Sequence, residues 1–539
     1  SQTVNLPANA VPTEGSLTIS LTPSLVSGLG GAASYLANYP YDDSESTTSR
    51  FYGLIEALRL PRAVSGVSAG IAAGVPGTVE TALQRLYGYQ NSDNGWGWWP
   101  MEDNSVPYIT AWVVDGLLLA RSEGYTVDSH VLSNALTNLH KWALAPTQNS
   151  ANDGSFNGYL NGSTFTYDMQ AYAADLLARA GQPDSGLVGS LYPHRQNMLP
   201  FARAYLALAI AQADGASDPR VADLLTSIKG AAQEFDNQAH WSDGSPDWQM
   251  MEDDTTATSI ILDALVRLDP SSFLTQGAAR WLMARRSDGA WGGSQTWDST
   301  QSTALALRAL VDYALHAQPV AGNGSYSVQV NGKTVGSGTI TSANGGQSQT
   351  VVVPVSTLAA ANKVVIRQRG NGSLFYSMLL RTYAPITTSP AVSHNILVSR
   401  RYEAVGGSHG QAGSDLRVVL TLTAPQDLYY LQIADPIPAG AEPVDPSLRT
   451  TSVLSTLTSQ AVIPQGTNNL GWYVGHVELL SDQAVLFADY LPAGTYQYSY
   501  QIHLTSAGSY HALPTTAHET YFPDVYGQGA GQVYAISAH

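Results

Sequence analysis

Residues 39–50 read Tyr-Pro-Tyr-Asp-Asp-Ser-Glu-Ser-Thr-Thr-Ser-Arg, and residues 51–58, Phe-Tyr-Gly-Leu-Ile-Glu-Ala-Leu, follow without a break. Asp42, Asp43, Ser44 and Glu45 put carboxylates and a hydroxyl just ahead of a run with helical character. Such groups accept hydrogen bonds from the free N–H groups of a helix start and suit the positive end of its dipole. The stretch therefore predicts a helix whose acidic residues lie at a solvated end. Acid–base catalysis by the same cluster would need carboxyl groups pushed apart in pKa by different surroundings, which neighbours at a solvated helix end do not provide.

Working outward, residues 22–316 alternate helical runs with blocks rich in Gly and aromatic residues. The blocks are NGWGWWP (94–100), NDGSFNGY (152–159), HWSDGSPDW (240–248) and DGAWGGSQTW (288–297). Each leads to a polar start and an apolar helix, at Thr110, Asp168, Asp254 and Asp298. In the last, Leu307, Leu310, Val311 and Ala314 share one helical face. Residues 200–213 are apolar on nearly every face, as expected of a helix enclosed by others. The block aromatics are read as packing between helix ends, with a binding surface as the alternative.

After residue 317 the period changes to alternation. Tyr326, Val328 and Val330 precede Asn331-Gly332, a strong hairpin signal. The Asn-Gly-Ser triplets at 161, 323 and 371 match a glycosylation pattern, but Asn-Gly is also a turn, and the turn reading is preferred. Further on, Leu416 to Thr423 and the series Tyr496, Tyr498, Tyr500, Ile502, Leu504 read as strands of a sandwich. The first 21 residues are also extended in character.

The frame of residues 39–50 resembles the thioester segment Tyr-Pro-Tyr-Gly-Cys-x-Glu-Gln-Thr-Thr-Ser of bacterial alpha-2-macroglobulins. Segments 434–444, 489–501 and 519–529 resemble the C-terminal macroglobulin-like domain of that family. The Gly-aromatic turns resemble those of the alpha/alpha toroid of terpenoid cyclases, prenyltransferases and complement-like thioester domains. The resemblance implies a multidomain α and β chain. Residues 1–21 would supply the first strand or strands of a CUB-like β domain, 22–316 the toroid, 317–386 the rest of the CUB-like domain, and 387–539 a macroglobulin-like sandwich. It implies endopeptidase inhibition by entrapment, outside the cytoplasm, with proteases as partners of the full-length protein. In the family a Cys thiolate is acylated by a Gln three residues on. Asp43 and Ser46 stand at those two positions, with Glu45 beside them, and neither can make that bond. Any trapping would then be non-covalent. Tyr429 and Tyr430 are candidates for the aromatic cover that shields the thioester in the family. A cell-envelope scaffold or interaction protein is the alternative, and a toroid enzyme of cyclase-like or glycan-active type is third.

Composition narrows these classes. At 539 residues the chain suggests three or four domains, and 44% hydrophobic content is ordinary for a folded protein. A net charge of -17 with only 25 Lys and Arg argues against nucleic acid and anionic membranes as partners. No stretch is long and apolar enough to predict a transmembrane segment. Starting at Ser1 without an apolar leader, the sequence leaves any signal peptide or lipid anchor outside itself. Zero Cys removes disulfides, thiolate metal sites, cysteine nucleophiles and the thioester together.

No cofactor is expected. A zinc prenyltransferase site would need Cys, and His130, His140, His194 and His240 show no metal-ligand spacing. Class II terpene cyclases carry Asp-x-Asp-Asp-Thr, and here Asp253 and Asp254 fit while Met251 replaces the first Asp. An acidic helix start is the plainer reading. Asp153, Asp243, Asp253 and Asp288 are the carboxylates available for glycan cleavage, though most sit beside Gly in turns.

Overall fold

The computed structural model describes residues 1–22, 29–60, 69–100, 105–145, 166–242, 247–286, 296–317, 324–340, 349–371, 374–385, 389–405, 410–445 and 463–538. The block at 152–159, most of 288–297, and Asp153, Asp243 and Asp288 lie outside them, as do Asn161 and Asn323. Two compact units emerge: Ser1–Val4 with Leu17–Val353 and Asn362–Leu379, and Asn5–Ser16 with Pro354–Ala361 and Leu380–His539.

The first unit holds twelve described α-helices: α1 Gly30–Ala37, α2 Ser44–Arg59, α3 Ala69–Tyr89, α4 Pro107–Ser122, α5 Ser129–Ala143 and α6 Tyr167–Arg179, then α7 Ser185–Leu191, α8 Pro200–Ala213, α9 Pro219–Gly230, α10 Asp254–Leu268, α11 Phe273–Arg285 and α12 Thr300–Ala317. The even-numbered helices pack in sequence, α2 on α4, α4 on α6, α6 on α8, α8 on α10 and α10 on α12. Helix α12 then packs back on α2, so the six close a ring. Odd-numbered helices lie against them from outside; α3 touches α2 and α4, α5 touches α4 and α6, and α11 touches α10 and α12. This explains the apolar surround of α8, whose residues 204–210 are all buried. Close approach is set by small residues. A Cβ on Gly116 of α4 would come within 2.7 Å of Thr48 and 2.8 Å of Phe51 on α2.

The Trp residues of three Gly-aromatic blocks repeat one arrangement. Trp96, Trp241 and Trp297 donate their indole N–H to Leu86, Ile228 and Leu282 carbonyls, near the ends of α3, α9 and α11. Their backbone N–H groups face Thr110, Thr258 and Thr303 hydroxyls, on the inner helix that follows. All three rings are buried. Each Trp thus fastens an outer helix to the next inner one while keeping its N–H paired, as a buried indole must. Packing accounts for these three.

Strands β1 Gln2–Asn5 and β2 Gly15–Thr22 come before the helices. They pair with strands that come after them, among β5 Gly324–Val330, β6 Lys333–Ile340, β7 Gln349–Pro354, β8 Ala361–Gly370 and β9 Phe375–Thr382. The orders are β1-β8-β5-β6 and β7-β2-β9. The β5–β6 hairpin turns at Asn331 (φ 51°) and Gly332 (φ 81°), the backbone that Asn-Gly favours. Between Gln233 and His240 a short hairpin, β3 and β4, joins α9 to the loop before α10.

In the second unit two sheets face one another. One has the order β10-β21-β20-β13-β17-β16 and the other β11-β12-β18-β14. Their ranges are β10 Val392–His394, β11 Leu397–Ala404, β12 Asp415–Ala424, β13 Leu428–Pro436, β14 Ala441–Pro443, β16 His476–Leu479, β17 Gln483–Leu491, β18 Gly494–Leu504, β20 Thr516–Glu519 and β21 Tyr526–Gln528; the short β15 Asn468–Asn469 pairs with β18, and β19 Gly508–Ala512 pairs with β22 Gln532–Ile536. A shared core includes Leu416, Val418, Leu420 and Leu422 of β12 with Leu431 and Ile433 of β13. Tyr496, Tyr500, Ile502 and Leu504 of β18 join it, and Tyr498 packs against it, so the alternation in the sequence marks a true strand. Across the sheets Arg400 binds Asp435 (2.8 Å), which also accepts from Tyr500 (2.6 Å) and Thr515 (2.6 Å).

Candidate functional site: the entrance to helix α2

Helix α2 begins where the acidic stretch predicts it. Asp43 is the N-cap, and its Oδ1 accepts the Ser46 N–H at 2.8 Å. Ser46 Oγ lies 2.6 Å from Asp43 Oδ2 and 3.0 Å from the Tyr41 carbonyl oxygen. A hydroxyl carries one proton, so it can donate to only one of these. Both contacts are hydrogen bonds when Asp43 is protonated and donates to Ser46 Oγ while Ser46 donates to Tyr41. Burial pushes the Asp43 carboxyl above its ordinary range, against the opposing pull of its Ser46 bonds. The two positions three residues apart are in direct contact.

The solvated helix end expected from the sequence is corrected here. Asp43 is 9% exposed, and Ser44, Glu45, Ser46, Thr47, Thr48 and Ser49 are buried; only Asp42 keeps substantial exposure, paired with Arg50 (2.9 Å) and Arg85 (2.5 Å). Arg50 Nη2 also donates to the Tyr39 and Tyr41 carbonyls at 2.6 and 2.9 Å, fixing the turn before the cap. Tyr35, Tyr39 and Tyr41 stack edge to face along it, with centroids 5.7 and 5.6 Å apart.

Glu45 has a different task from a cap. Its Oε2 accepts from Thr300 Oγ1 of α12 at 2.7 Å, and its Oε1 accepts from Ser49 Oγ. Ser49 Oγ in turn accepts the Trp112 indole N–H of α4 at 3.0 Å. One buried carboxyl group therefore ties α2 to both of its ring neighbours at the N-terminal mouth of the ring.

The rival acidic run at 252–256 is a helix start too. Asp253 caps α10 by accepting the Thr256 N–H at 2.6 Å. Its carboxyl is pushed up to about 8, by burial and then by Asp298. An alkene-protonating acid must be unusually strong, and this one is weakened. Among the described residues no group of three His, Cys, Asp or Glu could hold a metal ion. His140 binds Asp184 at 2.9 Å, His194 stacks on Tyr167 and His240 on Trp281. No helix among the described residues is long and apolar enough to cross a membrane.

Tyr429 and Tyr430 lie in β13 of the second unit. The Tyr429 N–H donates to Glu519 at 2.7 Å, and its ring packs on Tyr490. Tyr430 is buried with φ 53°, its carbonyl accepting the Thr520 N–H and its ring edge-on to Tyr521. Left-handed backbone is costly for a bulky residue and persists only where the surroundings enforce it. Burial raises the Glu519 carboxyl to about 7. Sequence reading missed Glu519, which lies 90 residues from Tyr429.

The opposite, C-terminal mouth of the ring carries a second network that the sequence did not single out. Asp115 accepts from Arg179 (2.6 Å) and Tyr172 (3.0 Å) and faces Arg308 (3.5 Å). Arg308 also binds Tyr52 (2.7 Å) and Asp263 (2.9 Å). Asp312 binds Arg59 (2.8 Å) and Arg267 (3.2 Å), and Arg59 binds Glu56 (2.6 Å). Burial alone would raise Asp115, but Arg179 and Arg308 hold it below the usual carboxylate range. Glu56 is pushed up to about 7 by burial, and Asp175 is raised for the same reason.

A helical ring between paired strands, followed by a two-sheet sandwich, is the fold of the C-terminal region of an alpha-2-macroglobulin. Native Escherichia coli alpha-2-macroglobulin, solved from domain MG7 to the C-terminus, superposes with a TM-score of 0.73 at 18% identity, over 99% of this chain and 80% of that one. Residues 395–524 match the bacterial alpha-2-macroglobulin MG10 domain family. An alpha-2-macroglobulin homolog of Nostoc is 24% identical over 83% of this chain and 23% of its own length. One from Yersinia pestis is 22% identical over 94% and 24%, respectively. The chain is thus similar to bacterial alpha-2-macroglobulins over most of its length, and it spans about a quarter of the length of these curated relatives.

Proposed function

We propose that this chain is the C-terminal part of an alpha-2-macroglobulin-like endopeptidase inhibitor that lacks the thioester and traps proteases non-covalently, outside the cytoplasm. The observation that carries this reading is the Asp43–Ser46 pair. The two side chains are in hydrogen-bond contact at 2.6 Å, yet a carboxyl and a hydroxyl supply neither the thiolate nor the amide acyl donor of a thioester. The helical ring would be the alpha/alpha toroid, inserted in a CUB-like domain built from the strands on either side of it. The two-sheet sandwich would be the macroglobulin-like domain, with Tyr429 and Tyr430 in the position of the aromatic cover. The similarity to alpha-2-macroglobulins favours an inhibitor over an enzyme, and the weakened Asp253 acid agrees with that.

The test uses the full-length protein. It is digested with an endopeptidase whose activity is then followed on a large protein substrate and a small chromogenic one. Entrapment blocks the first and spares the second, and the protease should separate from the inhibitor in denaturant. Treated with methylamine, the peptide holding residues 42–46 should keep its unmodified mass. A protease covalently attached after denaturation, or methylamine incorporated at 42–46, would overturn the non-covalent reading; activity unchanged on both substrates would overturn entrapment itself.

A further inference from the structure

The C-terminal mouth of the helical ring opens into a cavity of about 490 Å³, lined by residues of all six inner helices. Tyr52, Arg179 and Arg308 lie on its lining, as do Arg59 and Arg267. These four guanidiniums suggest an anion site at first sight, but each is already committed. Arg59 pairs with Glu56 and Asp312, Arg179 with Asp115 and Asp175, Arg267 with Asp263 and Asp312, and Arg308 with Asp115 and Asp263. The carboxyl groups are Glu56, Asp115, Asp175, Asp263 and Asp312, all with side chains at most 6% exposed. Five buried carboxyl groups thus share four cations. A sixth, Glu123, sits on the cavity lining at 38% exposure, 3.7 Å from Arg59.

The network has fewer cations than carboxyl groups, which fits the raised carboxyls of Glu56 and Asp175, and two further observations agree. Asp175 is wholly buried, yet neither of its carboxylate oxygens has a hydrogen-bond partner; its nearest cation is Arg179 Nη1 at 3.6 Å. The six inner helices also present their C-terminal ends here, each equivalent to roughly half a negative charge. A bound anion would deepen the imbalance, while a cation relieves it. Beside Ser122 and Gln212, the cavity has an apolar wall from Leu118, Leu119, Leu208 and Leu268. Those side chains suit an aliphatic stem rather than a hydrated inorganic ion.

We propose that this cavity binds an alkylammonium group, with the ammonium beside Glu56 and Glu123 and the alkyl stem against the leucine wall. The group could be carried by a small aliphatic amine or by the lysine side chain of another polypeptide. The site lies at the opposite mouth of the ring from Asp43 and does not depend on protease trapping.

The test titrates the full 539-residue chain calorimetrically, at physiological salt, with 1,5-diaminopentane and with a blocked lysine peptide. Pentanoate and 1,5-pentanediol serve as controls. The expected result is saturable one-to-one binding of an amine, weakened about tenfold or more in Glu123→Gln and abolished in Leu208→Trp, which fills the cavity. Tighter binding of the diamine identifies a small amine as the ligand, and tighter binding of the peptide identifies a lysine side chain. Glu123 is on the surface, so that variant keeps its fold even if Leu208→Trp does not. Pentanoate binding in preference to both amines, no amine binding, or amine binding unchanged in Glu123→Gln would each overturn the proposal.

Discussion

The two mouths of the helical ring are built from opposite chemistry, although the same six helices form both. At the N-terminal mouth the side chains are short and mostly neutral: Ser44, Ser46, Thr47, Ser49, Thr255, Thr256, Ser299 and Thr300 cluster with the capping carboxyl groups of Asp43 and Asp253. At the C-terminal mouth long guanidiniums and buried carboxyl groups alternate. Helix polarity explains the difference. The first turns leave N–H donors without partners, and short hydroxyl or carboxyl acceptors reach them; the last turns leave carbonyls and a negative dipole end, which favour Arg. A ring of parallel helices concentrates each requirement on one face. On the proposed reading, the counterpart of the family's reactive segment falls on the face where compact caps are required, and Asp43 and Ser46 fill it as cap residues of α2.

The largest contrast between the mouths should appear when one charge is removed from the second. Arg308→Met leaves Asp115 and Asp263 each with one cation fewer, and Tyr52 without its donor. Breaking a buried pair on one side typically costs about 3–5 kcal/mol. Urea unfolding followed at 222 nm should show the helical transition moved to markedly lower denaturant. A shift under about 1 kcal/mol would mean that the network is solvated and its ion pairs are weak.

At the other mouth the corresponding change should cost less. Glu45→Ala strips Thr300 Oγ1 and Ser49 Oγ of their acceptor. Stranding buried hydroxyls costs about 1–3 kcal/mol. The same unfolding experiment measures it, and a loss equal to that of Arg308→Met would erase the distinction drawn between the mouths.

Much of this was legible in the sequence, and the limits are physical. Local signals held: the caps Asp43 and Asp253, the turn at Asn331-Gly332, the enclosed helix at 200–213 and the alternation at 496–504 all read correctly. Each depends on residues within one or two turns of each other. What could not be read was pairing at a distance. Glu45 meets Thr300 across 255 residues and Asp115 meets Arg308 across 193, and nothing in ITAWVVDGLLLAR marks Asp115 as the centre of a network. Burial of Asp43, Ser44 and Glu45 escapes a local reading for the same reason. Their polarity suggests solvent, whereas ring closure encloses them, and Trp112 of α4 and Thr300 of α12 meet Ser49 and Glu45 there.

The smallest effect concerns Asp43 itself, and it depends on pH. Burial raises its carboxyl in the folded state, so the protonated form is favoured by folding. The sign follows directly: stability contributed by this group is complete in acid, below its unfolded value, and is lost as pH rises through its folded value. Asn at this position offers the same pattern at every pH, with Oδ1 accepting the Ser46 N–H and Nδ2 donating to Ser46 Oγ. Asn and Asp are also comparable as N-caps, whereas Ala at the cap would cost about 1 kcal/mol. Asp43→Asn should therefore match the parent chain in acid and become the more stable of the two at higher pH, by less than the loss seen in Asp43→Ala. Thermal melting of the helical signal at a series of pH values measures the crossover. If Asp43→Asn were the less stable protein throughout, the ionised carboxylate would be the form that holds the segment, and the proton placed between Asp43 and Ser46 would not exist.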